Sequence, residues 1–167
     1  VIAIGKAAWQ MGKAAADLLG NKITQGIVIT KYGNSKGPIP GLEIFEAGHP
    51  IPDRNSFDAT RKAVKLTEGL TDKDLVLMLI SGGGSALFEL PLCAEESLID
   101  ITRQLLCCGA EVGEINTVRK RLSAVKGGRF AKLCEPASVY SVIMSDILGD
   151  PLDMIASGPT VPDEGTC

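Results

Sequence analysis

The sequence predicts a doubly wound α/β domain, a mostly parallel sheet with helices on both faces. Three observations predict it. Short apolar runs alternate with amphipathic helical segments along all 167 residues, with no internal repeat and no low-complexity tract. The run Leu75-Val76-Leu77-Met78-Leu79-Ile80 is continuously apolar, as in a strand buried on both faces of a parallel sheet. The intervening helical segments, about four turns long, suit right-handed crossovers between parallel strands. The expected result is a three-layer, Rossmann-like α/β/α arrangement.

The elements follow in order. Val1-Ile2-Ala3-Ile4 reads as a strand already in progress, leading into a helix over 7–19 with Ala8, Met11, Ala15 and Leu18 at helical spacing and Gly20 as its stop. Residues 23–30 read as a second strand, and a Gly/Asn/Ser/Pro-rich loop runs through Gly41. Residues 42–47 alternate apolar and acidic side chains, which suits a short edge strand. A helix over 56–69 places Ala59, Ala63, Leu66 and Leu70 on one face; the apolar strand 75–80 comes next. A helix over 95–108 ends at Gly109, one or two short helices fill 116–133, and a last strand spans 138–144.

Composition narrows the function classes. At 45% hydrophobic and 22% charged residues the chain reads as globular, and a formal charge of -3 excludes nucleic acid and anionic membranes as general partners. The longest apolar run is too short to span a bilayer. Five cysteines (Cys93, Cys107, Cys108, Cys134, Cys167) show no zinc-ligand spacing, and Cys107 and Cys108 read as small hydrophobes in a helix. An odd count without a signal peptide predicts a reducing cytoplasm. Both ends read as cut, so residues 1–167 are expected to be a single, incomplete domain of something larger.

Ligands of doubly wound sheets sit beyond the carboxyl ends of the strands, so the loops there are the places to seek chemistry. Ser81-Gly82-Gly83-Gly84-Ser85-Ala86 follows the most buried strand. Its glycines permit positive φ and an anion-binding nest of N–H groups, with Ser81 and Ser85 as added hydroxyl donors; the alternative is a flexible turn. Ser145-Asp146 to Asp153 also follows a strand. Asp146, Asp150 and Asp153 suit Mg²⁺, a hard cation with oxygen ligands, while turn formation and helix capping compete for them. Ser157 and Gly158 lie just beyond and add hydroxyl and backbone groups.

The basic stretch 116–129 opens with Asn116 and carries Arg119, Lys120, Arg121, Lys126 and Arg129. These cations suit phosphate or a carboxylate, against the plain reading of a solvated helix face. The Gly127-Gly128 break is harder to reconcile with such a face. Lys6 follows the first strand, and His49 sits in the stiff loop Gly48-His49-Pro50-Ile51-Pro52-Asp53. As the only histidine, His49 excludes a multi-histidine metal centre. No Walker A frame, dinucleotide fingerprint or Gly-x-Ser-x-Gly elbow is present.

These segments together resemble the glycerate 2-kinase family, some of whose members are named hydroxypyruvate reductase. The matching pieces are Ile4-Gly5-Lys6-Ala7-Ala8, Gly48 to Asp53, Ser81 to Leu87, Asn116 to Lys120 through Gly128, and Ser145-Asp146 through Pro162-Asp163. Their order resembles the family's larger N-terminal domain. The resemblance implies phosphoryl transfer from ATP to a hydroxyl of D-glycerate with Mg²⁺, and it places Lys6 and Ser81 to Ser85 in the cleft. Charge and position add Lys6, Arg119 and Lys126 as cations facing phosphate or carboxylate. They add Asp146, Asp150 or Asp153 as holders of Mg²⁺, or as the group that orients the attacking hydroxyl. His49, Asn116, Gly127, Gly128, Ser157 and Gly158 complete the expected binding residues.

The smaller C-terminal domain that family members carry is absent from the sequence, which predicts little turnover from these residues alone; a homo-oligomer remains open. Two other functions fit less well. A hydroxypyruvate reductase needs a nicotinamide site, against the missing fingerprint. A non-catalytic module that binds an anionic metabolite uses the same glycines and cations.

Overall fold

The computed structural model describes residues 1–145 and 147–163, the side chain of Val112 excepted. Strands β1 (Ile2–Ile4), β2 (Ile27–Lys31), β3 (Glu43–Ala47), β4 (Leu75–Ser81) and β5 (Ser138–Met144) form one sheet in the order β3-β2-β1-β4-β5. All four pairings are parallel. The chain steps from β1 outward to β3, then crosses back to β4 on the other side of β1. The β1–β4 boundary is therefore the switch point, where the loops leaving neighbouring strands diverge and open a crevice.

Side-chain alternation explains the layers. In β1 and β2, Ile2, Ile4, Ile27 and Ile29 point to one face, where they join Met78 and Ile80 of β4. There they pack against Ala59 and Ala63 of α2 (Arg54–Lys65) and against Phe88 and Phe130. The two phenyl rings meet edge to face with centroids 5.1 Å apart. Ala3, Val28 and Leu79 point to the opposite face, under Ala8 and Ala15 of α1 (Ala8–Leu19). Each fully buried isoleucine contributes about 1.5–3 kcal/mol. The remaining helices are α3 (Gly84–Leu87), α4 (Glu95–Cys107), α5 (Val112–Leu122) and α6 (Arg129–Leu133).

Helix starts follow their caps. Asp53 accepts the Ser56 N–H at 3.0 Å while Ser56 Oγ accepts the Asp53 N–H at 3.2 Å, so α2 begins at Arg54 and not at 56 as predicted. Glu114 accepts the Glu111 N–H at 2.9 Å in the same manner, starting α5 four residues before the expected 116. A 3₁₀ turn at Gly20–Lys22 delays β2 to Ile27. The four-residue α3 is absent from the sequence reading, since glycine and serine carry no helical period.

β3 is an edge strand, as its alternation predicted. Tyr140, Val142 and Met144 of β5, the opposite edge, are more than half exposed, along with Leu18 of α1. Cys107 and Cys108 are exposed at the end of α4, whose buried contacts come from Leu98 and Thr102 instead. No helix among the described residues is long and apolar enough to cross a membrane.

Candidate active site

The switch point is built by tying the loop after β1 to the loop after β4. Ser81 Oγ donates to the Ile4 carbonyl at 3.1 Å and accepts the Ala7 N–H at 3.0 Å; the Lys6 N–H donates to the Gly82 carbonyl at 2.9 Å. Asn34 Nδ2 holds the Lys6 carbonyl at 2.9 Å. Lys6 thereby stands exposed at the rim on a fixed backbone.

His49 arrives from the loop after β3, its bond to Pro50 cis. It lies directly over Gly83: a Cβ built on Gly83 would fall 2.9 Å from His49 Cδ2 and 3.3 Å from Lys6 Cε. Gly83 also has φ +87°, so both the conformation and the space require glycine there.

The far wall comes from α5 and the segment after β5. Arg119 lines the cleft half-buried; burial lowers its guanidinium from the ordinary value, with Glu89 acting against that. Ser85 Oγ meets Ser157 Oγ at 2.9 Å, Ser157 Oγ donates to Asn116 Oδ1 at 2.8 Å, and Asn116 Nδ2 donates to the Met154 carbonyl at 3.4 Å. The result is a cleft of about 310 Å³ that brings together Lys6, His49, Gly82, Gly83, Ser85, Asn116 and Arg119. Leu106, Ile115, Ile147, Met154 and Ile155 give it apolar walls. Gly84 sits beneath, against Ala156. The arrangement lines a partly apolar crevice with two cations and a partly exposed glycine loop, suited to an anionic ligand.

Several sequence expectations are corrected. Lys126 does not face the cleft: it is fully buried, with Nζ donating to the Ser85 and Phe88 carbonyls, both at 2.9 Å, and pairing with Glu89 Oε2 at 3.4 Å. Ser81 spends its hydroxyl on Ile4 and offers the ligand no donor. Gly127 and Gly128 stand behind the cleft, donating N–H groups to the Ser157 and Gly158 carbonyls at 3.0 and 2.8 Å. Gly158, at φ +59°, packs against the Asp153 backbone and likewise supports the wall from behind.

Among the described residues the carboxylates do not gather as a metal site. Asp153 pairs with Lys120 at 3.0 Å, and Asp150 is exposed in a left-handed turn at φ +48°. Asp146 lies outside the described residues. Among the described residues no group of three histidine, cysteine or acidic side chains is placed to hold a metal ion. No step is assigned to Mg²⁺ through Asp150 or Asp153.

Sequence reasoning missed Glu89 altogether. It is only 1% exposed, and its Oε1 has no partner among the described residues. The available signal was one acidic residue set between Phe88 and Leu90 in an otherwise apolar run.

Comparison with known proteins places the chain in a family. All 167 residues match the family model described as a domain of unknown function, DUF4147. A relative named D-glycerate 2-kinase, from Thermotoga maritima, is 55% identical over 99% of this chain and 40% of its own length. A glycerate 2-kinase from Pyrococcus horikoshii is 47% identical over 99% of this chain and 37% of its own. The crystal structure of a glycerate kinase from Thermotoga maritima superposes with a TM-score of 0.93 at 56% identity, again covering 99% of this chain and 40% of that one. The chain thus spans about 40% of the length of these relatives. Matched along its whole length, with its fold shared by that glycerate kinase, the chain belongs to the DUF4147 domain family.

Proposed function

We propose that this chain is the nucleotide- and substrate-facing domain of a glycerate 2-kinase, transferring the γ-phosphoryl group of ATP to a hydroxyl of D-glycerate. One observation carries the reading: Lys6, His49, Arg119 and the Gly82–Ser85 loop converge on one cleft at the β1–β4 switch point. The names of relatives at 55% and 47% identity supply the reaction.

Phosphoryl transfer asks little covalent help of a protein; positioning and cationic stabilisation supply most of the catalysis. Lys6, on its clasped backbone, neutralises charge on the transferring group, and Arg119 offers a planar fork to phosphate or to the glycerate carboxylate. Gly83 lets the loop backbone come close beneath them, and His49 closes the rim. Mg²⁺ accompanies the nucleotide, with no described carboxylate assigned to it.

We also propose that residues 1–167 are one α/β domain of a larger cytoplasmic enzyme, whose cleft is completed by a second, C-terminal domain. On that basis the isolated chain binds ligand but turns over little.

The test is an ATP- and Mg²⁺-dependent phosphorylation assay on D-glycerate, using the protein that contains these residues. Phosphoglycerate is expected, with Lys6→Ala lowering kcat by roughly a hundredfold or more. No product from a well-folded parent ends the kinase reading, and an undiminished Lys6→Ala removes Lys6 from the site.

A further inference from the structure

The hydrogen-bond chain behind the cleft has a fixed direction, because each link leaves the next no choice. The Met154 carbonyl can only accept, so the Asn116 side chain turns its NH₂ toward it, at 3.4 Å. Asn116 Oδ1 then faces Ser157 and, being an amide oxygen, also only accepts. Ser157 gives it its single hydroxyl proton at 2.8 Å. That leaves Ser157 Oγ as an acceptor toward Ser85, so the proton in the 2.9 Å Ser85–Ser157 contact belongs to Ser85. Ser157 and Asn116 are 0% and 3% exposed, so bulk water does not compete for these bonds. The backbone adds its own constraint: Ser157 sits at φ +60°, with its carbonyl held by the Gly127 N–H.

Ser85 has therefore spent its only proton inward, and its hydroxyl offers the cleft lone pairs alone. Phosphate and carboxylate oxygens are repelled there. A ligand O–H is welcomed. We infer that Ser85 is a specificity-determining residue that accepts a hydrogen bond from the substrate alcohol, while Lys6 and Arg119 serve the anionic groups. The identity of that alcohol as D-glycerate rests on the kinase reading above; the direction of the chain does not.

Two measurements test this. In the first, the protein containing these residues is titrated calorimetrically with D-glycerate and with its 2,3-di-O-methyl ether, which accepts hydrogen bonds but has no hydroxyl to donate one. The parent is expected to favour D-glycerate by about tenfold, the scale of one well-placed hydrogen bond. Ser85→Ala lowers that ratio to whatever steric preference remains. Ser157→Gly, which tolerates the left-handed backbone, lowers it too by freeing Ser85 to rotate. An unchanged ratio in two variants that still fold and bind overturns the assignment, even when the parent forms phosphoglycerate.

The second measurement is neutron diffraction of the deuterated protein, which does not depend on any ligand. Deuterium on Ser85 Oγ directed at Ser157 supports the inference; deuterium on Ser157 Oγ directed at Ser85 overturns it. A parent that neither binds nor phosphorylates D-glycerate removes the kinase reading and the alcohol assignment with it. The neutron result then still decides whether Ser85 is an acceptor toward the cleft.

Discussion

Lys126 and Ser85 lie 41 residues apart in the chain, yet the Lys126 ammonium donates to the Ser85 carbonyl at 2.9 Å. The same ammonium holds the Phe88 carbonyl at 2.9 Å and pairs with Glu89. A buried charge is thus spent on fixing the exit of the Gly82–Ser85 loop from below, while the exposed Lys6 lines the cleft at its rim.

Removing one member of that pair is expected to be costly. Lys126→Met removes the buried ion-pair partner of Glu89 and lowers unfolding free energy by about 3–5 kcal/mol. Lys126→Met with Glu89→Leu removes both charges and recovers most of the loss. Urea denaturation of the two variants reads this directly; equal stability in both rules out the buried pair as the cause.

Gly83 makes a sharper case, because Gly33 serves as its control. Both have positive φ, +87° and +80°, but nothing lies within 4 Å of a Cβ at Gly33, whereas His49 lies at 2.9 Å from one at Gly83. Gly33→Ala is expected to cost only the left-handed strain, about 1–2 kcal/mol, with ATP affinity unchanged. Gly83→Ala carries a similar strain, displaces His49 and Lys6, and weakens ATP binding by about tenfold or more, a loss on the scale of 1.4 kcal/mol. Thermal melts and ATP titrations of the two variants separate strain from contact.

The contrast between Lys6 and Lys126 shows how far the sequence alone reaches. Strand periodicity placed Lys6 at the carboxyl end of β1, and a residue just past a central strand has few places to go but the crevice. Lys126 carries the same charge, and nothing local to its segment reveals that it points inward. Its partners Ser85, Phe88 and Glu89 come from the other side of the fold, and burial of this kind is a tertiary property. The same limit applies to Gly127-Gly128. The glycines are legible as a break, but their donation to the Ser157 and Gly158 carbonyls needs the loop after β5 in place. Ser85, Asn116 and Ser157 were each legible as polar residues near the site. Their order in one directed chain was not, since it depends on the Met154 carbonyl.

Asp53 offers a test at the acid end. Burial raises its carboxyl, but the hydrogen bonds from Tyr32, Ser56 and Gly48 prevail and hold it below the ordinary value. A depressed carboxyl contributes stability above its unfolded value of 3.8, and that contribution is lost as pH falls through the lower folded value. Asp53→Ala is expected to cost about 1 kcal/mol through the lost cap. Asp53→Asn keeps an acceptor for the Ser56 N–H and flattens the acid limb. Melting temperature against pH between 2 and 6 distinguishes them, and an unaltered acid limb in Asp53→Asn assigns the titration to another group.

Cys134 governs the opposite end of the pH range. Its thiol is fully buried behind Phe130, and burial pushes it up from 9.0 to about 11. Between those values the unfolded chain releases the thiol proton while the folded chain keeps it. The folded state then binds more protons, so stability falls as pH rises. The contribution is complete below pH 9 and gone above pH 11, with a total of up to about 3 kcal/mol set by the two-unit separation. Cys134→Ala removes this titration, costs a small cavity at neutral pH, and should show a shallower decline between pH 9 and 11. Urea midpoints at pH 8, 9, 10 and 11 give the comparison. Parallel curves for parent and Cys134→Ala would mean that tyrosines and lysines, not this thiol, set the alkaline limit.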